Sequence, residues 1–201
     1  FWSEAAEEEG NYQEKVYETE NCVFSGYWQT EKYFTEIRKE LVKDFNFSDI
    51  NKDYGLLLLS KRLLANDSYI SIHVRRGDYL QWPEIYGEIC TEQYYQDAMT
   101  LLETKVHCPI FVFFSDDINW VKSHLRRAEG IYIDNSIFDH YQPWYDMYLM
   151  SCCSHNIIAN SSFSWWGAWL NQRENRQVVA PKKWFYSQDR RDVCPEDWIR
   201  L

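Results

Sequence analysis

One stretch of the chain constrains the fold more than any other: a strand pattern that ends directly in two arginines and a glycine. Residues 69–74 alternate polar and β-branched side chains, and Arg75, Arg76 and Gly77 follow at once. Such alternation predicts a strand, and the glycine lets the backbone turn sharply where the strand ends. In α/β proteins ligands bind at strand ends, and arginine presents a rigid fork of donors that matches two phosphate oxygens. The stretch therefore predicts a diphosphate-binding turn.

Simpler interpretations of these residues stay open. Arg75 and Arg76 are also compatible with a solvated loop, or with a structural ion pair to Asp78, since surface ion pairs are common and contribute little. His73 lies within the strand pattern, so a core histidine competes with a ligand-binding one. The pattern alone does not separate a binding turn from a structural one.

The rest of the chain alternates predicted helices and strands. Apolar residues at helical spacing, with capping residues, predict helices over residues 31–45, 53–64, 91–102, 118–127 and 143–153. Apolar runs predict further strands over residues 110–114, 131–133, 155–159 and 178–180, the last followed by a polar tail. Residues 1–21 are acidic and show little periodicity. Alternating strands and helices predict an α/β fold with a doubly wound, Rossmann-like parallel sheet.

Composition narrows the class of protein and of ligand. The chain has 201 residues, of which 45% are hydrophobic, so it can bury a core of its own. Its net charge of −10 argues against a nucleic-acid partner, because no basic stripe is present to neutralise a phosphate backbone. The six cysteines include no Cys-x-x-Cys pair and no Cys/His spacing typical of zinc sites. An anionic ligand must therefore be bound by local arginines and backbone N–H groups.

Three predicted strand ends carry polar groups that a parallel sheet brings to one edge. These groups are His73, Arg75 and Arg76; Ser115, Asp116 and Asp117; and Asn160, Ser161 and Ser162. The serine turn leads into a short aromatic helix, whose N-terminus attracts anions through free N–H groups and its dipole. Together with the arginines, this turn predicts a nucleotide diphosphate as the ligand. Two other interpretations stay open. Helix capping is a possible role of Asp116, Asp117, Ser161 and Ser162, and metal binding is a possible role of the two aspartates.

Three ordered motifs resemble those of one enzyme family. They read HVRRGDY at residues 73–79, FSDD at residues 114–117 and NSSFSWWGAWL at residues 160–170. Over residues 22–201 the chain is similar to the bacterial α-1,2-fucosyltransferases of glycosyltransferase family 11. The resemblance implies the donor half of a GT-B-like enzyme that transfers L-fucose from GDP-β-L-fucose to the 2-hydroxyl of a galactosyl acceptor. It further implies inversion at the anomeric carbon, with no metal or other cofactor.

The resemblance also implies roles for individual residues. Arg75 is expected to contact the β-phosphate of the donor, His73 to lie near the guanine or ribose, and Ser161 and Ser162 to bind phosphate oxygens. The remaining donor-binding residues implied by the motifs are Arg76, Asp116, Asp117 and Asn160. An inverting transfer also needs a base near the acceptor hydroxyl. The candidates for this base, or for catalysis beside Arg75, are Asp78, Glu84 and Asp117.

Family members open with a Gly-rich segment containing Gly-Asn-Gln, and this chain has none. Residues 1–65 are therefore expected to be a helical or linker remnant of the acceptor-side half, and residues 66–201 the GDP-fucose-binding domain. The expected partners are GDP-fucose and a galactose-containing oligosaccharide or lipid-linked glycan, in the bacterial cytoplasm or peripherally at the inner face of the membrane. Two other function classes stay open: a non-catalytic nucleotide-binding module, and a degenerate scaffold that only contacts partners.

Overall fold

The structure is a computed structural model that describes residues 2–5, 9–18, 20–45, 47–87, 89–186 and 190–201. The strands are β1 (Trp2–Ser3), β2 (Phe24–Ser25), β3 (Tyr69–Val74), β4 (Ile110–Ser115), β5 (Ile131–Tyr132), β6 (His155–Ile157), β7 (Val178–Ala180) and β8 (Ile199–Arg200). The α-helices are α1 (Arg38–Asp44), α2 (Tyr54–Leu64), α3 (Pro83–Tyr86), α4 (Glu92–Glu103), α5 (Ile118–His124), α6 (Trp144–Cys152) and α7 (Ser162–Trp169). Short 3₁₀ segments lie at Glu14–Glu18, Glu31–Tyr33, Thr35–Ile37, Ser48–Lys52, Asp78–Gln81 and Asn135–Ile137.

Within the described residues, six strands form one parallel sheet in the order β5-β4-β3-β6-β7-β8. Numbered along the chain from β3, this order is 3-2-1-4-5-6, which is the order of the Rossmann fold. The direction of winding reverses between β3 and β6, and ligand-binding crevices form at such a switch point. The turn after β3 carries Arg75 and the turn after β6 carries Ser161. The predicted doubly wound, Rossmann-like parallel sheet is confirmed.

Helices cover both faces of the sheet because its central strands are apolar on both sides. On one face, Ile70 and Ile72 of β3 lie in the same buried cluster as Met99 of α4. On the other face, Tyr69 of β3 lies in a buried cluster with Leu63 of α2. Helix α2 therefore packs on the sheet although it precedes residue 66. The proposed division of the chain at that residue stays a prediction.

The helix predicted over residues 31–45 is interrupted at Phe34. This residue has φ −141° and ψ 11°, so two 3₁₀ segments precede α1 instead of one continuous helix. Its ring packs against Trp165, Trp166 and Trp169 of α7 at centroid distances of 6.2, 5.5 and 5.3 Å. Burial of this ring outweighs the helical spacing of the segment. The aromatic cluster of α7 is accordingly part of the core.

Two short strand pairings were not predicted from the sequence. The sequence predicts only a polar tail after residue 180, but β8 in this tail pairs in parallel with β7, with Ile199 opposite Val179. β1, in the acidic N-terminal segment, pairs in parallel with β2, with Trp2 opposite Phe24. Strands of two residues are too short to leave a periodic pattern.

Candidate nucleotide-binding site

A cavity of about 690 Å³ lies at the switch point of the sheet. Its volume falls within the roughly 300–1,000 Å³ that small-ligand sites commonly occupy. The side chains that line it include seven that the sequence singled out: His73, Arg75, Asp78, Ser115, Asp116, Ser161 and Ser162. The structure thus brings together residues from the turns after β3, β4 and β6. We call this space the nucleotide cavity.

Two carboxylates orient the guanidinium of Arg75. Its Nε lies 2.9 Å from Asp78 Oδ1, and its Nη1 lies 3.2 Å from Asp116 Oδ2. A guanidinium carries five N–H donors in one plane, so two ion pairs leave donors for a ligand. The side chain is about one-third exposed, and its Cζ lies 5.8 Å from the ring centroid of Tyr79. The fork is therefore oriented before a ligand binds.

Asp116 also fixes the backbone of the turn that follows β3. Its Oδ1 accepts a hydrogen bond from the Arg76 N–H at 2.9 Å, and its Oδ2 accepts one from the Gly77 N–H at 3.1 Å. A Cβ atom at position 77 would lie 2.8 Å from Asp116 Oδ2. A side chain at position 77 would therefore force the Asp116 carboxylate to shift. Asp116 positions the arginine turn and does not cap a helix.

Arg76 and Asp117 form a pair outside the lining of the nucleotide cavity. Arg76 Nε lies 3.3 Å from Asp117 Oδ2, and Arg76 Cζ lies 4.0 Å from the ring centroid of Trp120. Asp117 Oδ1 accepts a hydrogen bond from the Trp120 N–H at 3.1 Å and so caps α5. Both residues have a structural role in this geometry. Their part in donor binding stays a prediction.

The serine turn presents the N-terminus of α7 to the same cavity. Ser161 occupies the N-cap position and is 7% exposed, yet its side chain makes no capping hydrogen bond. The first N–H groups of a helix have no partner inside it, and the helix dipole makes this end positive. An anion lying between Arg75 and this turn would be bound from both sides.

Asn160 connects the serine turn to two neighbouring segments. Its Nδ2 donates to the Trp184 carbonyl at 3.0 Å, and its Oδ1 accepts from Cys90 Sγ at 3.4 Å. Its own carbonyl accepts from the Tyr79 hydroxyl at 2.8 Å. Asn160 is buried and is not among the residues that line the nucleotide cavity. In this geometry it supports the turn.

The three candidates for the base lie in different surroundings. Asp78 lines the nucleotide cavity but is paired with Arg75. Glu84 is exposed on α3 and is not among the lining residues. Asp117 caps α5. The assignment of a base stays a prediction.

Two buried polar atoms at the wall of the cavity have no hydrogen-bond partner in the described part of the chain: His73 Nδ1 and Asp146 Oδ1. Burial, and next the charge of Arg75, lowers the pKa of His73 to about 3, so its imidazole is neutral near pH 7. Burial raises the pKa of Asp146 to about 6, although its Oδ2 accepts a hydrogen bond from the Tyr141 hydroxyl at 3.2 Å. Buried polar atoms are costly unless a partner is supplied. A ligand in this cavity can supply one.

The sequence that forms this site is similar to those of known proteins. A family model described as Glycosyl transferase family 11 matches residues 10–201. The chain belongs to glycosyl transferase family 11.

Its relatives include enzymes that transfer deoxysugars. An alpha-1,2-colitosyltransferase of Escherichia coli is 39% identical over 183 residues, which cover 89% of this chain and 62% of the relative. The O-antigen biosynthesis glycosyltransferase WbnK of Escherichia coli is 33% identical over 184 residues, covering 90% of this chain and 60% of the relative. Human galactoside alpha-(1,2)-fucosyltransferase 1 is 26% identical over 156 residues, which cover 73% of this chain and 42% of the relative. The chain thus spans about three fifths of the length of the two bacterial relatives.

Among solved structures, the apo-form of POFUT1 aligns with this family 11 chain at a TM-score of 0.42 and 12% identity. The alignment covers 62% of this chain and 45% of the other.

Sequence reasoning missed the part of this family 11 site that α6 and the segment before it contribute. Asp146 and Tyr141 lie in an aromatic segment that reads as core. The available signal was an acidic residue inside an otherwise apolar helix. Such a residue is rarely buried without a partner.

The residues that the structure describes contain no group of three or more His, Cys, Asp or Glu side chains arranged to hold a metal ion. They also include no helix with the length and apolar character needed to cross a membrane.

The role of Asp116 is tested by the matched pair Asp116→Ala and Asp117→Ala. We expect Asp116→Ala to lower the free energy of unfolding by about 1–3 kcal/mol, because it removes charge-assisted hydrogen bonds. It should also accelerate amide hydrogen exchange at Arg76 and Gly77. Asp117→Ala removes a helix cap and should cost about 1 kcal/mol, leaving those two amides protected. Equal exchange rates at Arg76 and Gly77 in both variants would contradict the role of Asp116.

Proposed function

We propose that this chain provides the donor site of an inverting glycosyltransferase that uses a GDP-sugar. The observation that carries the proposal is the placement of Arg75 and the N-terminus of α7 around one cavity at the switch point of the sheet. Membership in glycosyl transferase family 11 supports glycosyl transfer as the reaction. The proposed donor is GDP-β-L-fucose, the acceptor is the 2-hydroxyl of a galactosyl glycan, and the chain forms the donor half of a GT-B-like enzyme.

The chemistry of the leaving group explains why these elements are suitable. Breaking the bond between the anomeric carbon and the β-phosphate leaves growing negative charge on GDP. Donors that strengthen their hydrogen bonds as this charge grows lower the barrier, whereas donors that bind substrate and transition state equally do not. Arg75 is held by Asp78 and Asp116 with its remaining donors available, and the first N–H groups of α7 are fixed by the helix. We assign the charge stabilisation to these groups and propose that no metal is needed.

The unpartnered atoms at the cavity wall favour guanine as the base. Guanine presents an N1–H and an N2 amino group side by side on one edge, and a carboxylate accepts from both. Adenine, cytosine and uracil do not present two adjacent donors. Asp146 offers the carboxylate, and neutral His73 lies on the same cavity wall. Asp146 is therefore the proposed base-reading residue.

The names of the relatives suggest a second candidate for the donor sugar. The relative that is 39% identical is named for transfer of colitose, which is fucose without its 3-hydroxyl. GDP-colitose would use the same diphosphate and guanine contacts. Competition between GDP-fucose and GDP-colitose for transfer separates the two donors. A site that hydrogen-bonds the 3-hydroxyl of fucose strongly rejects colitose, which lacks this hydroxyl.

The proposed acceptor is a galactose-containing oligosaccharide or a lipid-linked glycan. Two relatives carry names that support this choice: a galactoside fucosyltransferase and a glycosyltransferase of O-antigen biosynthesis. We place the protein in the bacterial cytoplasm, with peripheral association at the inner face of the membrane when the acceptor is lipid-linked. Assay of transfer to free and to lipid-linked galactosides tests this choice.

Metal independence can be measured directly. We expect the dissociation constant of GDP, measured by calorimetry, to change by no more than about twofold between EDTA and millimolar Mg²⁺, because Arg75 and α7 supply the positive potential. A requirement for Mg²⁺ or Mn²⁺ would contradict this expectation and would make Asp116 and Asp117 candidate metal ligands.

The role of Asp146 predicts a base preference and a pH dependence. At pH 7.5 GDP should bind at least about tenfold more tightly than IDP, which lacks the N2 amino group, because one charge-assisted hydrogen bond is lost. With GDP-fucose, whose phosphates do not titrate between pH 5 and 8, affinity should fall as the pH drops through about 6, where Asp146 becomes protonated. His73 stays neutral over this range because its pKa is about 3.

Asp146→Asn should remove both the preference for GDP over IDP and the pH dependence. Asp139→Asn, an exposed acidic residue outside the lining of the cavity, is the matched control and should preserve both. A GDP preference that survives Asp146→Asn would exclude Asp146 as the base-reading residue.

A further inference from the structure

A second cavity of about 280 Å³ adjoins the nucleotide cavity. We call it the aromatic cavity, after the side chains that line most of it: Tyr27, Tyr79, Tyr86, Trp184 and Phe185. We propose that it binds the saccharide acceptor, as a subsite for one neutral hexopyranose ring. This assignment rests on the proposed function, because the position of the acceptor is defined by the donor beside it.

The two cavities share part of their lining. Tyr79, Tyr86 and Ser162 belong to both. Ser162 is the first residue of α7, where the proposed diphosphate is bound, so the donor sugar attached to the β-phosphate lies near the junction. In an inverting transfer the attacking hydroxyl approaches the anomeric carbon from the side opposite the leaving group. The acceptor must therefore occupy space that is next to the nucleotide cavity but outside it.

The lining of the aromatic cavity matches the chemistry of a sugar ring. A pyranose has C–H faces that pack on aromatic rings and hydroxyl groups that need hydrogen-bond partners. The Tyr79 and Tyr86 rings stack at a centroid distance of 4.0 Å, and the Phe185 ring lies 5.9 Å from Tyr86. Gln29 contributes a polar amide. Such a combination of aromatic rings with a few polar groups is typical of a small-ligand site.

The charge of the aromatic cavity favours a neutral ligand. Glu9 lines the cavity, and its Oε2 lies 2.9 Å from Arg190 Nη2, so its charge is balanced by an adjacent guanidinium. No other acidic or basic residue is among the lining residues that the structure describes. A neutral saccharide therefore fits better than a second anion.

The walls of the aromatic cavity are held in place by hydrogen bonds that reach the serine turn. The Asn160 carbonyl accepts from the Tyr79 hydroxyl at 2.8 Å, and Asn160 Nδ2 donates to the Trp184 carbonyl at 3.0 Å. The Tyr186 N–H donates to the Ile85 carbonyl at 3.0 Å and joins the segment after Trp184 to α3. The rings are thus positioned relative to the turn that binds the donor. A ring that packs against them is aligned with the donor sugar.

Saturation-transfer NMR with methyl β-D-galactopyranoside in the presence of GDP tests this subsite. Tyr27 is 73% exposed, so its ring can be removed without disturbing the core, and Tyr54, 68% exposed on α2 and outside both cavities, is the matched control. We expect saturation of the H3, H4 and H5 protons of the galactoside. The saturation signal of the galactoside should fall about fivefold in Tyr27→Ala, because one ring contact is lost, and should persist in Tyr54→Ala. Tyr27→Phe, which keeps the ring, should retain most of it.

The outcomes separate this assignment from the proposed function. GDP should bind all three variants with affinity within about twofold of the unchanged chain, since Tyr27 does not line the nucleotide cavity. A chain that binds GDP but shows no saturation of the galactoside, or an equal loss in Tyr27→Ala and Tyr54→Ala, overturns the subsite. Absence of GDP binding to the unchanged chain contradicts the proposed function itself, and with it the assignment that depends on it.

Discussion

The carboxylate of Asp116 joins the ends of two neighbouring strands, and the geometry of the whole site depends on this contact. The parallel register places Val74 of β3 opposite Ser115 of β4, so the residue after β4 faces the turn after β3. From there the Asp116 carboxylate accepts hydrogen bonds from two backbone N–H groups of that turn and forms an ion pair with Arg75. A flexible arginine side chain becomes a fixed group of donors. Fixed donors stabilise developing charge without reorganising during the reaction.

The sheet order then determines what lies opposite the arginine. Because β6 is inserted beside β3, the turn that opens α7 lies at the same crevice. Arg75 and the first N–H groups of α7 are thereby brought to one cavity in a chain whose net charge is −10. Asn160 connects this turn to the neighbouring aromatic cavity, because its hydrogen bonds to Tyr79 and Trp184 hold two of the residues that line that cavity. The proposed donor and acceptor subsites therefore both depend on the order of the strands.

Much of this could be predicted from the sequence, for identifiable reasons. The six residues of β3 alternate clearly in polarity. The apolar spacing that predicts a helix over residues 91–102 corresponds in α4 to a buried face formed by Tyr94, Tyr95, Ala98, Met99 and Leu102. Motif spacing could not show that Asp116 faces the cavity while Asp117 caps α5, because their side-chain directions depend on where α5 begins. Asp146 and Tyr27 come from segments distant in sequence, and only packing brings them to the site.

The most direct test of the central claim is calorimetry of GDP and GMP binding to the unchanged chain, Arg75→Ala and Arg76→Ala. If Arg75 binds the diphosphate, the unchanged chain should bind GDP more tightly than GMP by a factor on the order of 10–100, the worth of one charge-assisted contact. Arg75→Ala should reduce this ratio to within about threefold, and Arg76→Ala, whose guanidinium pairs with Asp117, should retain it. A ratio unchanged in Arg75→Ala, or lost equally in Arg76→Ala, would contradict the account.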